Sequence, residues 1–237
     1  MNPNRLEPIE AAKQFISIYF PYCQGAILAG SVVRGKATET SDLDIVVFSE
    51  DTHSSYRESL IFSGWPIEVF VHNLVSYKDY FESDRKRARP SLPRMIAEGV
   101  SLKNEGILEA IQEEAKQILA TGPELWSVET IKIKRYFITD ALDDFIGSNN
   151  RAEELFIANI LAELTCEFIL RTNRRWIGAS KWIVRSLKEY DEAFTDQFVE
   201  AFDLYYKTGQ KSEVIEIVDK ALYPYGGRLF EGFSLGK

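Results

Sequence analysis

Cysteine and histidine are both scarce in this chain, with two of each among 237 residues. Cys23 and Cys166 lie far apart, and neither has a Cys or His neighbour at zinc-ligand spacing. A disulfide framework and a thiolate zinc centre are therefore excluded, and both read as reduced packing residues. Positive charge is in deficit as well: 28 Lys and Arg face 36 Asp and Glu, for a formal net charge of −8. A sequence-independent grip on DNA or RNA needs the opposite balance, whereas a small cationic substrate is favoured by such a field. No run of about 18 apolar residues occurs, so no membrane span is expected. The opening stretch MNPNRLEPIEAAKQF is polar and of mixed charge, without the apolar core of a signal peptide. The expectation is a cytoplasmic protein with no membrane or nucleic-acid partner. Internal repeats and low-complexity tracts are missing too.

What is present is enough for a substantial core: 45% of the residues are hydrophobic and 13% aromatic. The length fits one large domain or two small ones. Pro8 stands where a first helical turn begins, and residues 8–20 carry apolar positions at a period of about 3.6. GAILAGS (25–31) reads as a short buried strand ending in a Gly-Ser turn, and LDIVVFS (43–49) as a second strand. Residues 57–62 and 66–72 flank Ser63-Gly64-Trp65 as a β-hairpin. Helical patterns follow over 76–88 and 93–120, the latter broken around Gly99 to Gly106. Turn residues cluster at Ala120-Thr121-Gly122-Pro123, and five more helical segments run from 127 to 222. The expected architecture is α+β: a small mixed-sheet domain over residues 1–120, then an all-α helical bundle over 121–237.

The chemistry concentrates in AGSVVRGKATETSDLDIVV, residues 29–47. Gly30 and Ser31 are followed by Asp42, Leu43 and Asp44 at the mouth of an apolar strand. Alternate strand residues share a face, so Asp42 and Asp44 project side by side. Two like charges that close repel, and a divalent cation with hard oxygen ligands, Mg²⁺, resolves the repulsion. A Gly-Ser turn nearby can set backbone N–H groups and a hydroxyl against phosphate. Together these parts describe a site for a metal-bound nucleoside triphosphate. An isolated D-x-D is as often a solvated strand start; the Gly-Ser upstream and Ile45-Val46-Val47 downstream weigh against that. Glu68 is the third carboxylate. Set among Ile67, Val69, Phe70 and Val71, it is costly there without a partner. On a strand beside that of Asp44 it shares the face of the two aspartates, as metal ligand or as general base. The alternative is a Glu at the exposed end of an edge strand.

Gly-Ser, a dozen residues, Asp-Leu-Asp and then a strand bearing Glu resembles the nucleotidyltransferase superfamily related to DNA polymerase β. Within it, residues 25–72 are most similar to bacterial aminoglycoside adenylyltransferases acting on streptomycin and spectinomycin. RTNRRWIGASKWIVRSL (171–187) looks like the segment that supplies a basic residue to the nucleotide in those enzymes. The resemblance implies that Gly30, Ser31 and Arg34 hold the triphosphate and that Asp42 and Asp44 hold Mg²⁺. It places Glu68 as base or third acidic ligand, and Lys181 as a phosphate contact from the helical domain. A lysine on an exposed helix face is the alternative for Lys181. The reaction implied is transfer of AMP from ATP to a hydroxyl of an aminoglycoside-like small molecule, with release of pyrophosphate.

Acceptor choice is expected from the helical domain and the cleft beside it. Asp140, Asp143 and Asp144 share one helix face, and Asn159, Glu163 and Glu167 repeat every four residues on the next helix. Asp140, Asp144 and Glu163 suit the ammonium groups of such an acceptor, although a charged stripe is more often a solvated helix face. Trp176 and Trp182 fit the core better than a sugar-stacking role.

Three other readings stand beside this one. A protein-adenylylating, antitoxin-like enzyme is the first, without a fused helical ribonuclease, because His53 and His72 both lie outside the helical half. An RNA-tailing enzyme is the second, favoured only by the run Arg85-Lys86-Arg87-Ala88-Arg89, which also fits a basic helix end. A catalytically inactive nucleotide-binding module is the third, and the intact acidic trio argues against it. Oligomeric state is not legible.

Overall fold

The computed structural model describes residues 5–236, and the chain divides between Gly122 and Pro123 into two compact units. The first contains α1 (Pro8–Tyr19), β1 (Gly25–Ala29), the single turn α2 (Gly30–Val33), β2 (Leu43–Phe48), β3 (Tyr56–Phe62), β4 (Trp65–His72), α3 (Ser76–Lys86), α4 (Ser91–Glu98), β5 (Val100–Asn104) and α5 (Leu108–Thr121). Its five strands are ordered β3-β4-β2-β1-β5. Only β2 and β4 run parallel; the other neighbours are antiparallel. The result is a mixed sheet of the expected class.

Strand alternation sends side chains to two cores. Leu28, Ile45, Val47, Ile67, Val69 and Val71 pack with Ala11, Phe15 and Ile16 of α1 on one face. Ile27, Val46 and Phe48 point the other way, against Tyr77 and Phe81 of α3, Leu92 and Ile96 of α4 and Ile111 of α5. Pro8 opens α1 at a position where the missing N–H costs no hydrogen bond. Asp84 is buried at the end of α3 and accepts from the Leu92 backbone N–H at 2.8 Å, tying α3 to the start of α4.

Two sequence expectations change. Residues 100–104, inside the break expected between the helical patterns, form an edge strand, β5. β5 has a sheet neighbour on one side only and buries little, so VSLKN lacks the apolar alternation that marks a strand. The hairpin turn is two residues, not three: Ser63 (φ 47°) and Gly64 (φ 77°) are both left-handed, and Trp65 already pairs with Phe62. Two consecutive positive φ angles match the twist of the flanking strands, which is why such a short turn closes the hairpin.

Gly99 sits where the chain crosses from α4 into β5. A Cβ there would lie 2.2 Å from Ile27 Cγ2 and 2.6 Å from the Met95 carbonyl oxygen. Gly99→Ala is therefore expected to destabilise the first unit by about 2 kcal/mol through overpacking. A lowered denaturant midpoint with an unchanged slope is the expected record.

The second unit is helical: α6 (Val128–Gly147), α7 (Arg151–Thr172), α8 (Trp182–Tyr190), α9 (Glu192–Thr208) and α10 (Ser212–Leu222). Ser127, Asn150 and Asp191 cap α6, α7 and α9 by accepting from backbone N–H groups of the first turns. Phe145, Leu161, Phe168, Phe202 and Tyr205 are among its buried residues. α8 starts four residues later than its apolar pattern suggests. A Cβ at Gly178 would fall 2.2 Å from the Trp182 backbone, so the preceding loop lies folded against the helix start. Trp176 is buried. No helix among the described residues is long and apolar enough to cross a membrane.

Candidate active site

Strand register assembles the site. Ala29, the last residue of β1, pairs with Asp44, and Asp44 pairs with Glu68 across the parallel β2–β4 ladder. Asp42 lies two residues before Asp44, on the same side. The three carboxylates each offer an oxygen, and those oxygens all lie within 4.8 Å of one another. Val46 and Phe48 continue the same face along β2 but are covered by the helical core, whereas Asp42, Asp44 and Glu68 are only half-buried. The carboxylates thus occupy the part of the sheet face that the helices leave open.

Gly30 follows Ala29 directly, so it passes immediately over Asp44. Its φ is +83°, and a Cβ on it would fall 2.1 Å from Asp44 Oδ2. Glycine is required twice, for the left-handed backbone and for the approach. Gly30→Ala is expected to push the Asp44 carboxylate aside and lower kcat about a hundredfold, the usual consequence of misplacing a reacting group by about 1 Å. Gly35→Ala is the matched control: φ is +66° but nothing lies within 4 Å, so it shares the backbone strain without the collision. Its kcat should stay near that of the unmodified chain.

Ser31 opens the turn after Gly30, and its hydroxyl donates to Ser41 Oγ at 3.1 Å. Ser41 Oγ in turn accepts from the Thr38 backbone N–H at 2.8 Å. The polar loop between α2 and β2 is thereby folded back on the Gly-Ser turn, and Ser41 leads straight into Asp42.

Burial, the Asp42 charge and the Glu68 charge together push the Asp44 carboxyl up to about 6, while Arg34 and Arg57 pull it down. Arg34 lies 3.6 Å from Glu98. Arg57 makes the closer contact: its Nη2 is 2.5 Å from Glu68 Oε1, and its guanidinium lies 5.1 Å from the centre of the Phe70 ring. The sequence reading did not single out Arg57. The signal was the turn, because a two-residue hairpin pairs Ser59 with Glu68 and Arg57 with Phe70, setting Arg57 diagonal to Glu68 on one face. A three-residue turn would move Arg57 to the opposite face. Glu68 itself lies on an interior strand, between β3 and β2, not at an edge.

The trio fits a hard divalent cation. Its donors are all carboxylate oxygens, they converge closely, and the Asp44 carboxyl is raised by burial and then by the Asp42 and Glu68 charges, which a cation would offset.

The remaining candidates lie in the helical unit. Asp140 and Asp144 are exposed on α6, and Glu163 is exposed on α7. Asp143 pairs with Arg228 at 3.6 Å, and Glu167 accepts from Lys134 at 2.6 Å, so these two members of the acidic stripes are neutralised locally. Lys181 is exposed at the residue preceding α8. In the first unit, Arg85 and Lys86 pair with Glu82, and Arg87 with Asp84, so the basic run is partly offset by carboxylates on its own helix.

A family model, the nucleotidyltransferase domain, matches residues 10–147. Among solved structures, a nucleotidyltransferase-like protein from Exiguobacterium sibiricum aligns with 91% of this chain and 73% of its own. The TM-score is 0.47 and the sequence identity 12%. No curated protein matches.

Proposed function

The chain belongs to the nucleotidyltransferase domain family, whose members are transferases, and from that premise we propose that it transfers AMP from ATP to a hydroxyl of a small-molecule acceptor. The observation that carries the reading is the convergence of Asp42, Asp44 and Glu68 beneath Gly30. Asp42 and Asp44 would hold Mg²⁺, and Gly30, Ser31 and Arg34 would contact the triphosphate. Bound there, Mg²⁺ would neutralise the triphosphate and stabilise charge developing on it. Glu68 serves as general base. It takes the proton of the acceptor hydroxyl as the new O–P bond forms in line, and pyrophosphate leaves from the opposite side of the α-phosphorus. Arg57 holds Glu68 in place before the acceptor arrives. Aminoglycoside-like compounds head the list of acceptors, because the formal net charge of −8 and exposed carboxylates such as Glu163 favour a cationic molecule.

Purified protein with Mg²⁺ and ATP, offered aminoglycosides, spectinomycin and lincosamides, tests the reaction. Mass spectrometry should find one compound heavier by AMP, with pyrophosphate released in step. Binding of Mg-ATP with no adduct on any compound would move the acceptor to a protein. Absence of Mg-ATP binding would overturn the reading.

A further inference from the structure

α7 carries two apolar stripes, and only one is explained by packing. Ala158, Leu161, Thr165 and Phe168 are buried in the helical unit. Phe156, Ile160 and Leu164, four residues apart, form a second line along the helix. They border a groove of about 380 Å³, closed on the other side by Phe137, Asp140 and Asp144 of α6. Phe156 is 76% exposed, Ile160 50% and Phe137 44%. A solvated helix face would carry polar residues there; contiguous exposed rings and branched side chains mark a surface that binds something.

We infer that the groove between α6 and α7 binds an amphiphilic cation, a molecule with a ring-sized apolar body and a protonated amine. Charge complementarity selects this occupant. Among the described residues, the side chains of Asp140 and Asp144 have no hydrogen-bond or ion-pair partner, unlike the neighbouring Asp143. Covering the groove with a neutral apolar ligand would strip water from two carboxylates and give nothing back. A second copy of the chain seated on the same face about a two-fold axis would bring four such carboxylates together. An ammonium group satisfies both aspartates, which stand one helical turn apart, while the apolar body covers Phe156 and Ile160. The groove's volume is that of a small-ligand site. A polyhydroxylated polycation fits it badly, since six of the eight lining residues are apolar and would leave its hydroxyls unmatched. This binding goes beyond the transfer reaction and does not depend on it.

The test compares 1-naphthylmethylammonium with its neutral isostere 1-naphthalenemethanol by calorimetry and by amide chemical shifts. The ammonium should bind at least about tenfold more tightly, the margin of a charge-assisted contact, and shift resonances of α6 and α7. The Asp140→Asn, Asp144→Asn double variant should remove that margin while leaving the alcohol's affinity unchanged. Phe156→Ser, a change at an exposed position, should weaken both probes. Asp44→Asn should alter neither, which separates the groove from the acidic trio of the first unit, and kanamycin should fail to displace the ammonium at equal concentration. Equal affinity for the two probes, displacement by kanamycin, or loss of binding in Asp44→Asn would overturn the assignment. A concentration-dependent dimer dispersed by Phe156→Glu would do the same, giving the face to a second copy.

Discussion

Asp44→Asn should abolish nucleotidyl transfer and at the same time make the metal-free protein more stable. The first effect follows from losing the carboxylate at the centre of the trio, which lies between Asp42 and Glu68 and against Gly30. The expected fall in kcat is about ten-thousandfold, equivalent to about 5 kcal/mol of transition-state stabilisation. The second effect follows from electrostatics. Burial and two neighbouring carboxylates raise the Asp44 carboxyl from 3.8 to about 6, so the folded chain holds this proton more tightly than the unfolded chain does. Stability is therefore lost as pH rises from about 4 through 6, and the whole loss is present at pH 7.5. With allowance for solvent screening of a half-buried group, it is about 2 kcal/mol. Removing the charge should raise the melting temperature of the metal-free protein by about 5 °C at pH 7.5, with the gain vanishing near pH 4. Added Mg²⁺ should stabilise the unmodified chain and leave the variant unchanged.

His72 tilts the same pH range the other way. Burial lowers its imidazole to about 4, and its Nδ1 lies 3.1 Å from Ser55 Oγ. A lowered histidine contributes stability that is complete above about 6.5 and is lost as pH falls toward 4. In the unmodified chain the slopes of Asp44 and His72 oppose one another. In Asp44→Asn the histidine slope is no longer opposed by Asp44, so acidification from pH 7 to 4.5 should lower its melting temperature more than that of the unmodified chain. Parallel melting curves at every pH would show that the fold does not raise the Asp44 carboxyl.

Glu68→Gln should separate proton transfer from metal binding. The amide keeps the shape of the side chain and can still accept from Arg57, so the fold and the Gly30 contact stay as they are. Without a base for the acceptor hydroxyl, kcat should fall about a thousandfold, within the range such groups contribute. Affinity for Mn²⁺, used as the titratable metal, should change by less than about threefold, since Asp42 and Asp44 remain as ligands. A drop in metal affinity as large as the drop in kcat would make Glu68 a third ligand and require another base.

Much of the first unit was legible because its strands bury both faces in the middle and one acidic face at the end. LDIVVF reads as a central strand, and Asp42 and Asp44 fall on one side of it by alternation alone. The helices of the second unit were legible from apolar periodicity and from turn residues between them. β5 was not, because an edge strand with exposed Val100 and Ser101 has no pattern to show. Arg57 was missed for a different reason: its place beside Glu68 depends on one residue of turn length, and Trp65 looked like part of the turn.

The sequence by itself determined which side chains bring chemistry, because the acidic trio and the Gly-Ser turn are set out by strand period within a short stretch of chain. Only the tertiary structure decided that Asp44 and Glu68 are direct neighbours. Two parallel strands separated by a hairpin have no local rule for their register; the cores on both faces of the sheet impose it. It also decided that Gly30 must be glycine, since the collision it avoids is with a side chain brought up by the β1–β2 pairing. In the helical unit it distinguished between acidic residues that the sequence left equivalent. Asp143 and Glu167 meet basic partners brought from elsewhere in the chain, whereas Asp140 and Asp144 border the apolar groove. Periodicity can assign a residue to a helix face, but only packing determines what that face meets.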